Sequence, residues 1–197
     1  MNKREASHEQ AMSREATSKD PPSIERILFT EEQIAQRIQE VAAEISERYR
    51  GKPLKLVGVL KGSVFFLTAL ARQIQIPVKI DFLAISTFSN KSSAPGIVRI
   101  AKDLDDGIEN EDVLLVEDIV DTGLTLRYLL QALSSRGPNS LAVCTFLDRN
   151  SRRLVQIPVE FRCFEIPDRF VIGFGLDHNQ LYRNLSYVAV MKPDKNA

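Results

Sequence analysis

The 197-residue sequence predicts an α/β protein with a mainly parallel central sheet flanked by helices. Three observations carry this. Short apolar runs alternate with longer amphipathic segments along most of the chain. Runs such as "LKLVGVL" and "VLLVEDI" are almost continuously apolar, the pattern of strands buried on both faces rather than one. The length suits one domain with a sizeable core, and no repeat of fixed period or second domain is visible.

The elements follow in order. Residues 1–23 are polar and charged, end at Pro21-Pro22, and read as a disordered N-terminal extension; residues 24–197 read as the single domain. Thr30 and Gln33 form a capping-box pattern, and Ile34, Ile38, Val41, Ala42 and Ile45 share one face of the helix that follows, which stops near Arg50-Gly51. Leu54 to Leu60 is a buried strand, Lys61-Gly62-Ser63 a turn, and "VFFLTALARQI" a helix. "VKIDFLAIS" is strand-like, Thr87 to Gly96 a loop of small and polar residues, and "IVRIAKDL" a further strand before a turn at Asp105-Asp106-Gly107. "VLLVEDI" is a strand, and Leu124 to Arg136 a helix ended by Gly137-Pro138. "SLAVCTFL", "VEFRCFEI", "FVIGFG" and "SYVAVM" complete the strand candidates.

Composition narrows the function. Lys+Arg and Asp+Glu are both 26, so the formal net charge is zero and nothing favours a nucleic-acid or membrane partner. No apolar run approaches the roughly 18 residues of a membrane span. The N-terminal stretch has no apolar segment to serve as a secretory signal, so a cytoplasmic location is expected. Cys144 and Cys163 lie in apolar, strand-like surroundings and read as buried reduced thiols. With only His8 and His178 there is no zinc set and no evident Ser-His-Asp triad. A metal here would be a hard cation held by oxygen, which points to Mg²⁺.

The run "VEDIVDTGLT" is where the chemistry gathers. An apolar strand ends in Glu117 and Asp118, and Asp121 follows directly before Thr122-Gly123. Such like charges repel, and a plain strand-to-helix turn has no need of them. A lone Asp before a helix reads as an N-cap; the whole run does not. In open parallel sheets ligands bind at the carboxyl ends of strands. A helix start carrying free N–H groups, Gly123 and the hydroxyls of Thr122 and Thr125 suits a phosphate. The acids suit hydroxyls, a metal or a proton, so a sugar phosphate satisfies both halves.

On these residues "VLLVEDIVDTG" resembles the ribose-phosphate signature of the type I phosphoribosyltransferases, and the wider chain resembles their hypoxanthine-guanine branch. "VGVLKGSVFFLTAL" is similar to the pyrophosphate-binding strand and helix, and "FEIPDRFVIGFGLDHNQLYRNLSYVAVMKP" to the purine-binding region, in the family's order from about Ile27 to Pro193. The resemblance implies the type I phosphoribosyltransferase fold with a small purine-binding hood and a flexible lid, the latter in "STFSNKSSAPGIVRI". It implies transfer of a phosphoribosyl group from 5-phosphoribosyl 1-pyrophosphate to a 6-oxopurine, with Mg²⁺ as cofactor, and assembly as a homodimer or homotetramer. Alternatives are a xanthine or guanine preference on the same fold, or a non-catalytic nucleotide-sensing regulator.

It also implies roles. Asp121 would be the general base beside the purine N7. Glu117 and Asp118 would hold the ribose hydroxyls and the Mg²⁺ shell, and Asp177 would contact a second Mg²⁺. Thr122, Gly123, Leu124 and Thr125 would form the 5′-phosphate loop. Lys61 and Gly62, with Arg183, would bind pyrophosphate, and a cis peptide before Lys61 is common in the family. Ile119 and Phe170 would flank the purine, and Val171 would offer it backbone groups. Arg149 stands where the family has lysine and would donate to the 6-oxo group. Phe88 stands where the family has tyrosine, and His178 reads as packing or solvent-facing.

Overall fold

The computed structural model describes residues 24–87 and 98–192. The expected N-terminal extension, most of the expected lid, Phe88 among it, and Pro193 to the C-terminus lie outside the described residues. The elements are β1 (Ile24–Phe29), α1 (Glu31–Arg48), β2 (Leu54–Leu60), α2 (Ser63–Gln73), β3 (Val78–Thr87), β4 (Val98–Lys102), β5 (Asp112–Val120), α3 (Leu124–Ser134), β6 (Ser140–Asp148), β7 (Phe161–Glu165), β8 (Val171–Ile172) and β9 (Val188–Met191). A short 3-10 turn spans Asn150–Arg152.

Six strands form the main sheet in the order β4-β3-β2-β5-β6-β7. All neighbours are parallel except the edge pair β3–β4. Helices cover both faces, as the near-continuous apolar strands require. Along β5 the side chains alternate: Leu114 and Val116 join a core with α1, α2 and the hood, whereas Val113 and Leu115 join a second core with α3. Cys144 and Cys163 are free and buried in the first core. Burial pushes both thiols up, Cys163 to about 12, so they are inert.

α1 starts as its sequence directs. Thr30 Oγ1 accepts from the Gln33 N–H, the Gln33 side chain accepts from the Thr30 N–H, and the five apolar positions named above are buried. Replacing such a cap costs about 1 kcal/mol.

The hood is a second, antiparallel sheet in the order β1-β9-β8. Its edge strand β1 is absent from the sequence reading. Ile24–Phe29 has no clear alternation of apolar and polar residues, and Ile27 is exposed. It is a strand because β9, far along the chain, supplies its hydrogen-bond partners. A second departure concerns "FVIGFG", of which only Val171–Ile172 is strand. Gly173, Phe174 and Gly175 all have positive φ, which turns the chain out of the sheet. A Cβ on Gly173 would also meet the Tyr187 carbonyl oxygen at 2.0 Å. No helix among the described residues is long and apolar enough to cross a membrane.

Candidate active site

The strand order reverses between β2 and β5. From β2 the chain crosses to β3 on one side; from β5 it crosses to β6 and then β7 on the other. At such a switch point the loops leaving the two strands diverge and open a crevice at their carboxyl ends. A cavity of about 330 Å³ lies there. Lys61 and Gly62 enter it from the end of β2, Glu117, Asp118, Ile119 and Asp121 from β5, Thr122, Gly123 and Thr125 from the start of α3, and Asp177 and Arg183 from the loop between β8 and β9.

The approach of β2 to β5 is close. A Cβ on Gly62 would lie 1.6 Å from Asp118 Oδ2, so only glycine lets the carboxylate occupy this position. The Leu60–Lys61 peptide is cis. Gly175 packs on the other side, where a Cβ would meet the Gly62 carbonyl oxygen at 2.1 Å.

Electrostatics distinguish the three acids. Glu117 is buried, and burial with Asp118 as its neighbour pushes its carboxyl well above the usual range. Burial raises Asp118 to about 6, offset in part by the Ile119 N–H, which donates to Asp118 Oδ1 at 2.8 Å, and by Arg183. Asp121 is arranged differently. Its Oδ2 takes Nη1 of both Arg149 and Arg152 at 3.4 Å each. Its Oδ1 is buried and has no hydrogen-bond partner among the described residues. Asp121 does not cap α3; Gly123 does, in the left-handed conformation (φ +83°) and with no side-chain cap bond.

Arg183 gathers the far wall. Its Nη2 pairs with Asp177 Oδ1 at 2.7 Å and its Nη1 donates to the Gly175 carbonyl at 2.7 Å. Asp177 Oδ2 accepts from the Gln180 N–H at 2.9 Å. Gln180 Oε1 also takes Lys61 Nζ at 3.4 Å. Glu117, Asp118 and Asp177 do not converge as a three-donor metal set among the described residues.

The remaining sequence candidates lie at the cavity's edge or outside its lining. Leu124 is exposed and does not line the cavity. Val171 is buried in β8. Phe170 is 52% exposed and meets the His178 ring edge-on, with centroids 5.6 Å apart. Arg149 is buried, its Nη2 donating to the Arg169 carbonyl at 2.7 Å. Sequence reasoning missed Arg152, Gly175 and Gln180. The first is one charge in the basic run "RNSRR", and the others sit in a segment whose backbone path no periodicity foretells.

A family model described as the phosphoribosyl transferase domain matches residues 26–179. The hypoxanthine-guanine phosphoribosyltransferase of Mycobacterium avium is 46% identical over 179 residues, 88% of each chain. The chain belongs to the hypoxanthine-guanine phosphoribosyltransferase family. That of Streptococcus mutans is 42% identical over 172 residues, 87% of this chain and 96% of its own. Among solved structures, the hypoxanthine phosphoribosyltransferase of Staphylococcus aureus superposes with a TM-score of 0.84 at 42% identity, covering 89% of this chain and 95% of that one. The mainly parallel sheet expected from sequence is therefore the phosphoribosyltransferase fold, here with its separate hood.

Proposed function

We propose that this phosphoribosyltransferase makes IMP, and also GMP, by transferring the phosphoribosyl group of 5-phosphoribosyl 1-pyrophosphate to hypoxanthine or guanine. The observation that carries the reading is Asp121. One of its carboxylate oxygens is held by two arginines, and the other is buried without a partner among the described residues, beside Thr122, Gly123 and Thr125 of the cavity lining. An unsatisfied buried acceptor is costly and marks the place for a donor. A purine N7–H is such a donor.

In the proposed reaction the purine N9 lone pair forms a bond to the ribose C1′, the C1′–O bond to pyrophosphate breaks with its electron pair leaving on pyrophosphate, and Asp121 Oδ1 takes the N7 proton. Positive charge grows on the ribose ring, as in glycoside cleavage. Glu117 and Asp118 hold the ribose hydroxyls and face that charge. Thr122, Gly123, Leu124 and Thr125 hold the 5′-phosphate, Leu124 through its N–H. Lys61, Gly62 and Arg183 hold pyrophosphate. Ile119 and Phe170 flank the base, Val171 offers it backbone groups, and Arg149 donates to its 6-oxo group.

Mg²⁺ fits the pair Glu117 and Asp118, with water completing its shell. Glu117 and Asp118 are adjacent, oxygen-only and raised by burial, so a cation would relieve their repulsion. Both oxygens of Asp177 are already engaged, by Arg183 and Gln180, so its contact with a metal would run through water. When bound, the ion supplies charge neutralisation on the departing pyrophosphate.

Cytoplasmic location and assembly as a homodimer or homotetramer are part of the same proposal. Sedimentation velocity reads the assembly. A panel of hypoxanthine, guanine, xanthine and adenine with phosphoribosyl pyrophosphate and Mg²⁺ tests the activity: hypoxanthine and guanine should turn over and adenine should not. Asp121→Asn should lower kcat by about 10²–10⁴-fold, the range for loss of a general base, and leave phosphoribosyl pyrophosphate binding intact. Parental turnover by that variant would remove Asp121 from the role.

A further inference from the structure

Arg152 spans two acids that belong to different parts of the molecule. Its Nη1 lies 3.4 Å from Asp121 Oδ2, and its Nε lies 3.7 Å from Asp168 Oδ1. Asp121 follows β5 at the floor of the cavity. Asp168 sits in the turn just before Phe170 and β8, where the hood begins. The 3-10 turn that carries Arg152 is fastened to the site at both ends. The Arg149 N–H donates to the Val120 carbonyl at 2.9 Å, and the Leu154 N–H to the Thr122 carbonyl at 2.9 Å. Arg152 is therefore held in register with the β5–α3 loop and also reaches the hood.

The two arginines at Asp121 are not equivalent. Arg149 is buried and ties Asp121 to the Arg169 carbonyl; Arg152 is half-exposed and ties it to a side chain. Both engage Oδ2, and among the described residues Oδ1 has no partner. A carboxylate gripped by one oxygen from two directions presents the other along a fixed line.

Resting on the proposed role of Asp121 as base, we propose that Arg152 is a positioning residue, anchored by Asp168, that aligns the free oxygen of Asp121 with the purine held by the hood. A purely structural role is a poor match to its surroundings. The side chains of Arg152 and Asp168 are 49% and 60% exposed, and ion pairs so exposed contribute little to stability. Proton transfer is far more demanding, because a misplacement of about 1 Å can cost about 10²-fold in rate.

Steady-state kinetics of the full chain with hypoxanthine and phosphoribosyl pyrophosphate test this, using Arg152→Gln, Arg152→Lys, Asp168→Asn and the double variant Arg152→Gln/Asp168→Asn. Asp121→Asn serves as control. Arg152→Gln should lower kcat by about tenfold, within the cost of misalignment, with KM for phosphoribosyl pyrophosphate and the thermal midpoint unchanged. Arg152→Lys should recover part of the loss. Asp168→Asn should lower kcat less, and the double variant should be no slower than Arg152→Gln, because Asp168 acts through Arg152. Parental kcat in Arg152→Gln while Asp121→Asn is inactive would overturn the role of Arg152 and leave Asp121 as base. Parental kcat in Asp121→Asn would overturn both. A loss in Arg152→Gln that comes with a fallen thermal midpoint and no rescue by lysine would mark a structural residue, and losses that multiply in the double variant would break the link to Asp168.

Discussion

Asp118 is a buried acid whose charge is kept at the expense of stability. Burial raises its carboxyl from the ordinary 3.8 to about 6, so the folded chain holds this proton more tightly than the unfolded chain does. The stability contributed by the bound proton is complete below 3.8 and is lost as pH rises through about 6. At pH 7.5 the ionised carboxylate, next to Glu117, opposes folding. Asparagine has the same shape and no charge. Asp118→Asn should therefore melt above the parent at pH 7.5, by about 2–4 °C for each kcal/mol gained in a chain of this size. The gap should close as pH is lowered to 4, and turnover should fall. Scanning calorimetry at the two pH values reads the first effect; equal midpoints at both would mean that the site does not repel the charge. Two guanidinium groups face Asp121.

At the scale of elements, the start of α3 carries the loop proposed to hold the 5′-phosphate. Gly123 is its cap at φ +83°, and Arg153 Cδ and Val155 Cγ2 would lie 3.1 and 3.2 Å from a Cβ placed there. The segment after the 3-10 turn thus lies against the loop proposed to hold the 5′-phosphate. Gly123→Ala would strain the left-handed backbone and press on Arg153, which is pinned beneath by its ion pair with buried Asp148. The expected result is a rise of about tenfold or more in KM for phosphoribosyl pyrophosphate, since the loop's N–H groups lose their alignment, with far-UV circular dichroism unchanged. An unchanged KM would show that the phosphate is held elsewhere. This junction was legible beforehand: "VEDIVDTGLT" places acids, glycine and hydroxyls between a strand and a helix, and the fold brings them to the cavity. What escaped was the support underneath, because Asp148, Arg152 and Arg153 meet the loop only through the crossover from β5 to β6.

The whole molecule joins a cavity at the sheet's switch point to a hood drawn from both ends of the domain. β1 comes from the N-terminal end and pairs with β9 near the C-terminal end. A sharp boundary follows. Deleting residues 1–22 should leave kcat/KM unchanged, whereas deleting residues 1–29 removes the hood's edge strand, exposes β9 and should abolish purine turnover. Loss of activity in the shorter deletion would assign the N-terminal segment a role in the site. Activity measured beside thermal melting of the two truncations decides the matter.

The amino-acid order alone determined the central sheet, because strands buried on both faces must be apolar throughout and the helices between them must carry one apolar face. It determined the acid-rich junction as well, since Glu117, Asp118, Asp121 and Gly123 are neighbours in the chain and their chemistry is local. Only the tertiary structure decided that Ile24–Phe29 is a strand, that Gly62 and Gly175 must be glycine, and that Arg152 bridges Asp121 to Asp168. Each of these depends on a partner distant in sequence, where no local pattern constrains the pairing and only the folded path brings the groups within reach.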